Sequence, residues 1–85
     1  MKAFHSKSPQ LITFLRVLNP LRTVEVLPLN ERRCEFIVTP ADDQLYRDVA
    51  LFSDTTTTVP LSDFLHELGQ LRDRVRVTLR GGGAR

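Results

Sequence analysis

The sequence predicts a single small α+β domain with an N-terminal helix, an antiparallel β-hairpin and two further helices packed on the hairpin. Three segments carry apolar residues at helical spacing, and two β-branched segments alternate between apolar and polar residues. The length of 85 residues is that of one domain. Hydrophobic residues make up 41% and charged residues 26%, which is typical of a globular chain rather than a disordered one. We assign residues 1–80 to the domain and 81–85 to a flexible glycine-rich tail.

The first helix is predicted over residues 9–18. Ser8 can accept a backbone N–H as N-cap, and Pro9 at the first helical position has no N–H to leave unpaired. Apolar side chains then recur at helical spacing until Asn19-Pro20, where proline cannot continue the helix.

The next two segments, 23–27 and 33–39, are predicted to pair as a hairpin. Val24 and Val26 lie on one face of the first strand, and Cys34, Phe36 and Val38 lie on one face of the second. These faces coincide only if the loop holds an odd number of residues. A three-residue loop at 30–32 places Val26 opposite Phe36 and Val24 opposite Val38, with Pro28 near the hairpin end or on an edge.

Two helices are predicted after the hairpin. The first covers residues 41–52, starting at a Thr39-Pro40 cap with acidic residues in the first turn, where the helix dipole favours them. The second starts at Pro60 and covers residues 61–76. Residues 75–79 also alternate like a strand, so they are either the end of this helix or a short third strand, and the glycines at 81–83 are expected to stop either one.

The helices must cover one face of the hairpin, because a lone hairpin is marginal in water. The residues expected in the shared core are Leu11, Phe14, Leu15, Leu18, Val24, Val26, Phe36, Val38, Leu45, Val49, Leu65, Leu68 and Leu71.

Four segments carry a family resemblance, in order along the chain: "LITFLRVL", "TVEVLPL", "RRCEFIV" and "TVPLSDFLHELGQLRDRV". Together they resemble a small bacterial and phage family that is known only as a domain of unknown function. The resemblance covers most of residues 8–76 and consists mainly of hydrophobic spacing. The chain differs from the pattern at Asn19-Pro20, where a glycine-type stop is expected. The resemblance implies the same order of elements and no known activity.

The residues that usually perform catalysis or bind metal are few and scattered. Cys34 is placed on the core face, where a cysteine acts as a small hydrophobe, and a catalytic thiol also needs a histidine nearby. His5 and His66 lack carboxylate or thiol partners at metal-ligand spacing, and no glycine-rich phosphate loop occurs. We therefore expect no enzyme, no catalytic or metal-binding residues and no cofactor.

The sequence favours a cytoplasmic location without a membrane partner. No apolar stretch approaches the roughly 20 residues that span a bilayer, and the N-terminus lacks the pattern of a signal peptide. A single unpaired cysteine is consistent with a reducing compartment.

Two binding functions are left. The first is a protein-interaction or self-association module, expected as a homo-oligomer, whose partner-binding patch is the outer hairpin face with Leu27, Leu29 and Ile37. The alternative is a nucleic-acid-binding protein that uses an arginine-rich C-terminal segment, joined by the arginines of the hairpin tip. The candidate residues for nucleic-acid binding are Arg72, Arg74, Arg76, Arg80, Arg32 and Arg33. Arg16 and Arg22 are further cations that could join this patch.

Overall fold

The computed structural model describes residues 2–54 and 57–83 and has a mixed α+β fold, as predicted. Three helices accompany a three-stranded antiparallel sheet of order β1-β3-β2. The elements along the chain are β1 (Phe4–Ser6), α1 (Pro9–Leu18), β2 (Thr23–Pro28), β3 (Cys34–Thr39), α2 (Asp43–Phe52) and α3 (Leu61–Gly83).

The hairpin and its register are confirmed. Val26 pairs with Phe36 and Val24 with Val38. The Leu29 N–H donates to the Arg33 carbonyl at 2.9 Å, so residues 30–32 form the three-residue turn. This register places Val24 and Val26 of β2 and Cys34, Phe36 and Val38 of β3 on the face that the helices cover.

The third strand is at the N-terminus, and the predicted order of elements is wrong in this respect. β1 precedes α1 and pairs with β3, with Phe4 opposite Val38 and Ser6 opposite Phe36. Three residues are too few to show an alternating pattern in the sequence. The segment 75–79, which was the alternative place for a third strand, belongs to α3.

α3 is 23 residues long and continues beyond the predicted end at residue 76. Val75 and Leu79 pack against the core while Val77 between them is 67% exposed, which fits the helix, because a strand would place all three side chains on one face. The glycines at 81–83, assigned to the tail and expected to stop the element, continue the helix, while residues 84 and 85 are outside the described part. No described helix is both long and apolar enough to cross a membrane.

α1 has the predicted limits, whereas α2 begins later than predicted. The Ser8 hydroxyl accepts the Leu11 N–H at 3.3 Å, as expected of the N-cap of α1. Thr39 cannot cap α2, because it is still in β3 and pairs with Thr23. Asp42 is the N-cap instead, and its carboxylate accepts the Leu45 N–H at 2.9 Å.

The core lies between the inner face of the sheet and the three helices. Most of the predicted residues are buried or pack against it, but Leu18 and Leu65 are 38% and 56% exposed. Ile12 and Thr13 are buried although only one face of α1 was expected to be, because α2 and α3 both pack against this helix. The buried hydrophobic residues are Ile12, Phe14, Leu15, Val24, Cys34, Phe36, Val38, Ala41, Leu45, Leu68 and Leu71.

Two features reduce the pairing capacity of the outer edge of β2. The Arg74 guanidinium of α3 donates to the Val24 carbonyl, which therefore points away from β3. Pro28 is four residues after Val24 in β2, so its backbone N and O point to the same outer edge. As a proline it has no N–H to present there. These two features remove one acceptor and one donor from this edge, which hinders the pairing of an added strand there.

Candidate nucleic-acid interface

Four cations from three parts of the chain line one cavity of about 340 Å³. They are Lys7, from the segment before α1, Arg32 and Arg33, from the hairpin turn, and Arg72, from α3. The remaining lining residues are uncharged, so no carboxylate of the described part of the chain lines this cavity. The fold thus brings three of the six arginines proposed for nucleic-acid binding together and adds a lysine to them.

The hairpin turn fixes the backbone of its two arginines. The Asn30 side-chain oxygen accepts the N–H groups of Arg32 and Arg33 at 2.8 and 2.9 Å. This local bonding is what asparagine commonly provides in turns. The backbone of both arginines is therefore held while their side chains stay exposed beside the cavity.

The electrostatics of the cavity favour an anion. Within residues 2–54 and 57–83, no side-chain hydrogen bond or ion pair is made by Lys7, Arg32, Arg33 or Arg72. Pro9, the first residue of α1, also lines the cavity, so the positive end of that helix dipole lies at its border. Four cations without carboxylate partners repel one another, and a bound anion relieves this repulsion.

The cavity has an apolar floor. Cys34 and Phe36 are 7% and 3% exposed, and half-buried Val75 lies beside them. Burial raises the pKa of the Cys34 thiol, which keeps it protonated and weakly nucleophilic. His5 bonds Glu35 at 3.1 Å on the opposite face of the sheet, and His66 bonds Gln70 on α3. Neither histidine lines the cavity with Cys34.

The other three candidate arginines are outside the cavity. The Arg74 guanidinium donates to the Val24 carbonyl at the edge of β2. Arg76 lies 3.6 Å from Asp73 in an exposed ion pair, and Arg80 is exposed further along α3. Positions 72, 76 and 80 are four residues apart, so these arginines follow one side of the helix away from the cavity.

Arg16 and Arg22 do not join the cavity. Arg16 lies 3.5 Å from Glu67 and also donates to the carbonyls of Pro20 and Arg22. Arg22 is buried and pairs with Asp48 at 2.6 Å. Nothing in the sequence spacing of Arg22 and Asp48 indicated this pair, because 26 residues separate them.

The outer face of the sheet carries the predicted partner-binding patch. Leu27 and Leu29 are 40% and 47% exposed, and Ile37 is half-buried. Leu27 is paired with Glu35, and Ile37 with Glu25, so leucine and isoleucine alternate diagonally with glutamates. The three apolar side chains share a face, but carboxylates interrupt the surface that they form.

Within residues 2–54 and 57–83, no group of three or more histidine, cysteine, aspartate or glutamate residues is arranged to hold a metal ion. Comparisons with protein-family models, curated proteins and solved structures found no match for this chain. The resemblance to a bacterial and phage family therefore stays a prediction, and the cationic cavity is the main guide to function.

Proposed function

We propose that this chain is a non-catalytic module that binds nucleic acid through the cavity lined by Lys7, Arg32, Arg33 and Arg72. The observation that carries this proposal is the convergence of four cations on one concave surface, where the residues that the structure describes provide neither an ion-pair partner nor a lining carboxylate. Phosphate is one of the anionic groups that the planar donors of arginine match bidentately. Because Arg76 and Arg80 extend the positive charge along α3, a polymer of phosphates matches the surface better than a single small anion.

The proposal predicts a measurable dependence on salt. If each of the four lining cations neutralises one phosphate, the slope of log association constant against log salt concentration is about −3 for a single strand. Fluorescence anisotropy with labelled random-sequence DNA and RNA, over about 50 to 200 mM salt, measures this slope. No binding even at the lowest salt would refute the function.

Charge-reversal variants distinguish binding at the cavity from non-specific electrostatic attraction to the whole chain. Arg72→Glu and Arg33→Glu alter lining residues, whereas Arg47→Glu alters an exposed arginine of α2 by the same charge. We expect each cavity variant to weaken binding at least about tenfold, since a charge-assisted contact is lost and a repulsion is added. Arg47→Glu should have a much smaller effect. An equal loss in all three variants would show that net charge rather than the cavity determines binding.

Self-association is a second candidate, favoured by the exposure of Leu27 and Leu29 on the open face of the sheet. Static light scattering over a concentration series measures the mass of the particle in solution. If this face joins two copies, Leu27→Ser with Leu29→Ser should shift the particle to the monomer mass. A native chain that is monomeric at every concentration would exclude the homo-oligomer.

A further inference from the structure

The cavity that the four cations line is larger than a phosphate needs, and its walls are partly cationic and partly apolar. Its volume of about 340 Å³ is within the range of small-molecule pockets, which is roughly 300–1,000 Å³. The four exposed cations and the apolar side chains of Cys34, Phe36 and Val75 line the same cavity. An inorganic phosphate would leave this apolar surface in water, and a purely apolar ligand would leave the cations without a partner.

A ligand that satisfies both parts has an apolar ring and an anionic group next to each other. Resting on the proposed function, this points to a nucleotide, whose base has an apolar face and whose phosphates are anionic. In a duplex the bases are stacked and paired, so only an unpaired base can enter a cavity. We propose that the cavity receives one unpaired nucleotide of a single strand, with its base against Phe36 and Val75 and its phosphates on the surrounding cations.

The surface beside the cavity suits the rest of such a strand. Arg72, Arg76 and Arg80 follow one another on α3 with about 6 Å of helix rise between them. Both residues of the Arg76–Asp73 pair are exposed, 67% and 71%, so a phosphate can reach Arg76 at little cost. The strand therefore leaves the cavity along α3 towards Arg80.

The first test compares a single-stranded oligonucleotide with a blunt duplex of the same sequence in the anisotropy assay. We expect the single strand to bind about tenfold tighter, which is the gain that stacking of one base typically provides. Adenosine monophosphate should displace the strand at concentrations at which inorganic phosphate does not. Equal affinity for single strand and duplex, with equal competition by phosphate, would refute the inference while leaving the proposed function intact. No binding of either form would refute both.

A second measurement uses Cys34 as a reporter in the native chain. Cys34 is the one cysteine of the sequence and lines the cavity, so its rate of alkylation by a maleimide reports access to the floor. Adenosine monophosphate should slow alkylation at least about threefold, and inorganic phosphate should not. An unchanged rate at a nucleotide concentration that displaces the strand would place the base elsewhere.

A pair of variants on α3 tests the cavity without changing its charge. Val75→Trp fills the space at the floor, and Val77→Trp adds the same ring at a position that is 67% exposed and outside the cavity. We expect Val75→Trp to lose the preference for single strands and to keep salt-dependent binding of the duplex. Val77→Trp should retain the preference. A preference that survives in a folded Val75→Trp would overturn the assignment of the base to this cavity.

Discussion

The Nη2 of Arg22 donates to the Oδ2 of Asp48 at 2.6 Å, and only 2% and 7% of these two side chains are exposed. Arg22 also donates through Nη1 to the carbonyl of Leu15 at 2.9 Å, and Gln44 donates to the other oxygen of Asp48 at 3.0 Å. A single buried guanidinium thus connects the last turn of α1 to α2. This pair joins elements that are distant in sequence.

Removing one partner of this pair should strongly destabilise the fold. Asp48→Ala leaves the Arg22 charge buried without a partner, which typically costs about 3–5 kcal/mol of unfolding free energy. Urea denaturation followed by circular dichroism measures the change. Asp73→Ala breaks an exposed ion pair on α3 and serves as the control, for which we expect a change within about 0.5 kcal/mol.

Replacing both partners of the pair gives a different result. Arg22→Met with Asp48→Leu leaves no buried charge, and such replacements are often neutral or stabilising. The double variant should therefore be more stable than Asp48→Ala alone. A double variant that is as unstable as the single one would mean that the bonds to Leu15 and Gln44, rather than the unpaired charge, account for the loss.

Leu45 and Leu21 differ in burial, in agreement with the predicted core, which included Leu45 and not Leu21. Leu45 is fully buried in the core, and Leu21 is 89% exposed. Leu45→Ala should lower the unfolding free energy by about 2–5 kcal/mol, because it removes buried apolar surface and leaves a cavity. Leu21→Ala should change it by less than about 0.5 kcal/mol. Comparable losses in the two denaturation curves would contradict the placement of Leu45 in the core.

The helix α3 contains a glycine that has no structural need to be one. Apart from its chain neighbours and the adjacent backbone of α3, a Cβ at Gly69 would meet no described atom within 4 Å, and the position is exposed. Gly69→Ala should raise the unfolding free energy by about 0.5–1 kcal/mol, because alanine loses less backbone entropy in a helix. Gly69→Ser should give a smaller gain. A loss of stability in both variants would indicate a contact at Gly69 that the described residues do not show.

The Cys34 thiol should make stability depend on pH in the alkaline range. Burial raises its pKa in the folded state, so the folded chain keeps a proton that the unfolded chain loses above about pH 8.5. The resulting stabilisation is complete below the unfolded pKa and is lost as pH rises through the folded pKa. The difference in unfolding free energy between the native chain and Cys34→Ala should therefore shrink as pH rises from about 7 to 10. A constant difference would contradict the raised pKa.

The sequence determined the elements whose signals are local. Ser8 and Pro9 fix the start of α1, and its end at Leu18 follows from Asn19-Pro20. The alternation of the two strands sets the pairing of Val26 with Phe36 and an odd loop. These features depend on residues a few positions apart, so capping, proline geometry and periodicity are sufficient to predict them.

Tertiary packing decided the rest. β1 is three residues long and is a strand only because β3 pairs with it. The segment 75–79 fits both a strand-like alternation and a helical spacing of apolar residues, and its packing against the core as part of α3 decides for the helix. Arg22 was predicted only as a cation that could join the arginine patch, whereas the structure pairs it with the buried carboxylate of Asp48 on a distant helix. Likewise, Lys7 meets the arginines of the turn and α3 only when the chain has closed. Contacts between distant segments form through packing, and local sequence signals do not specify them.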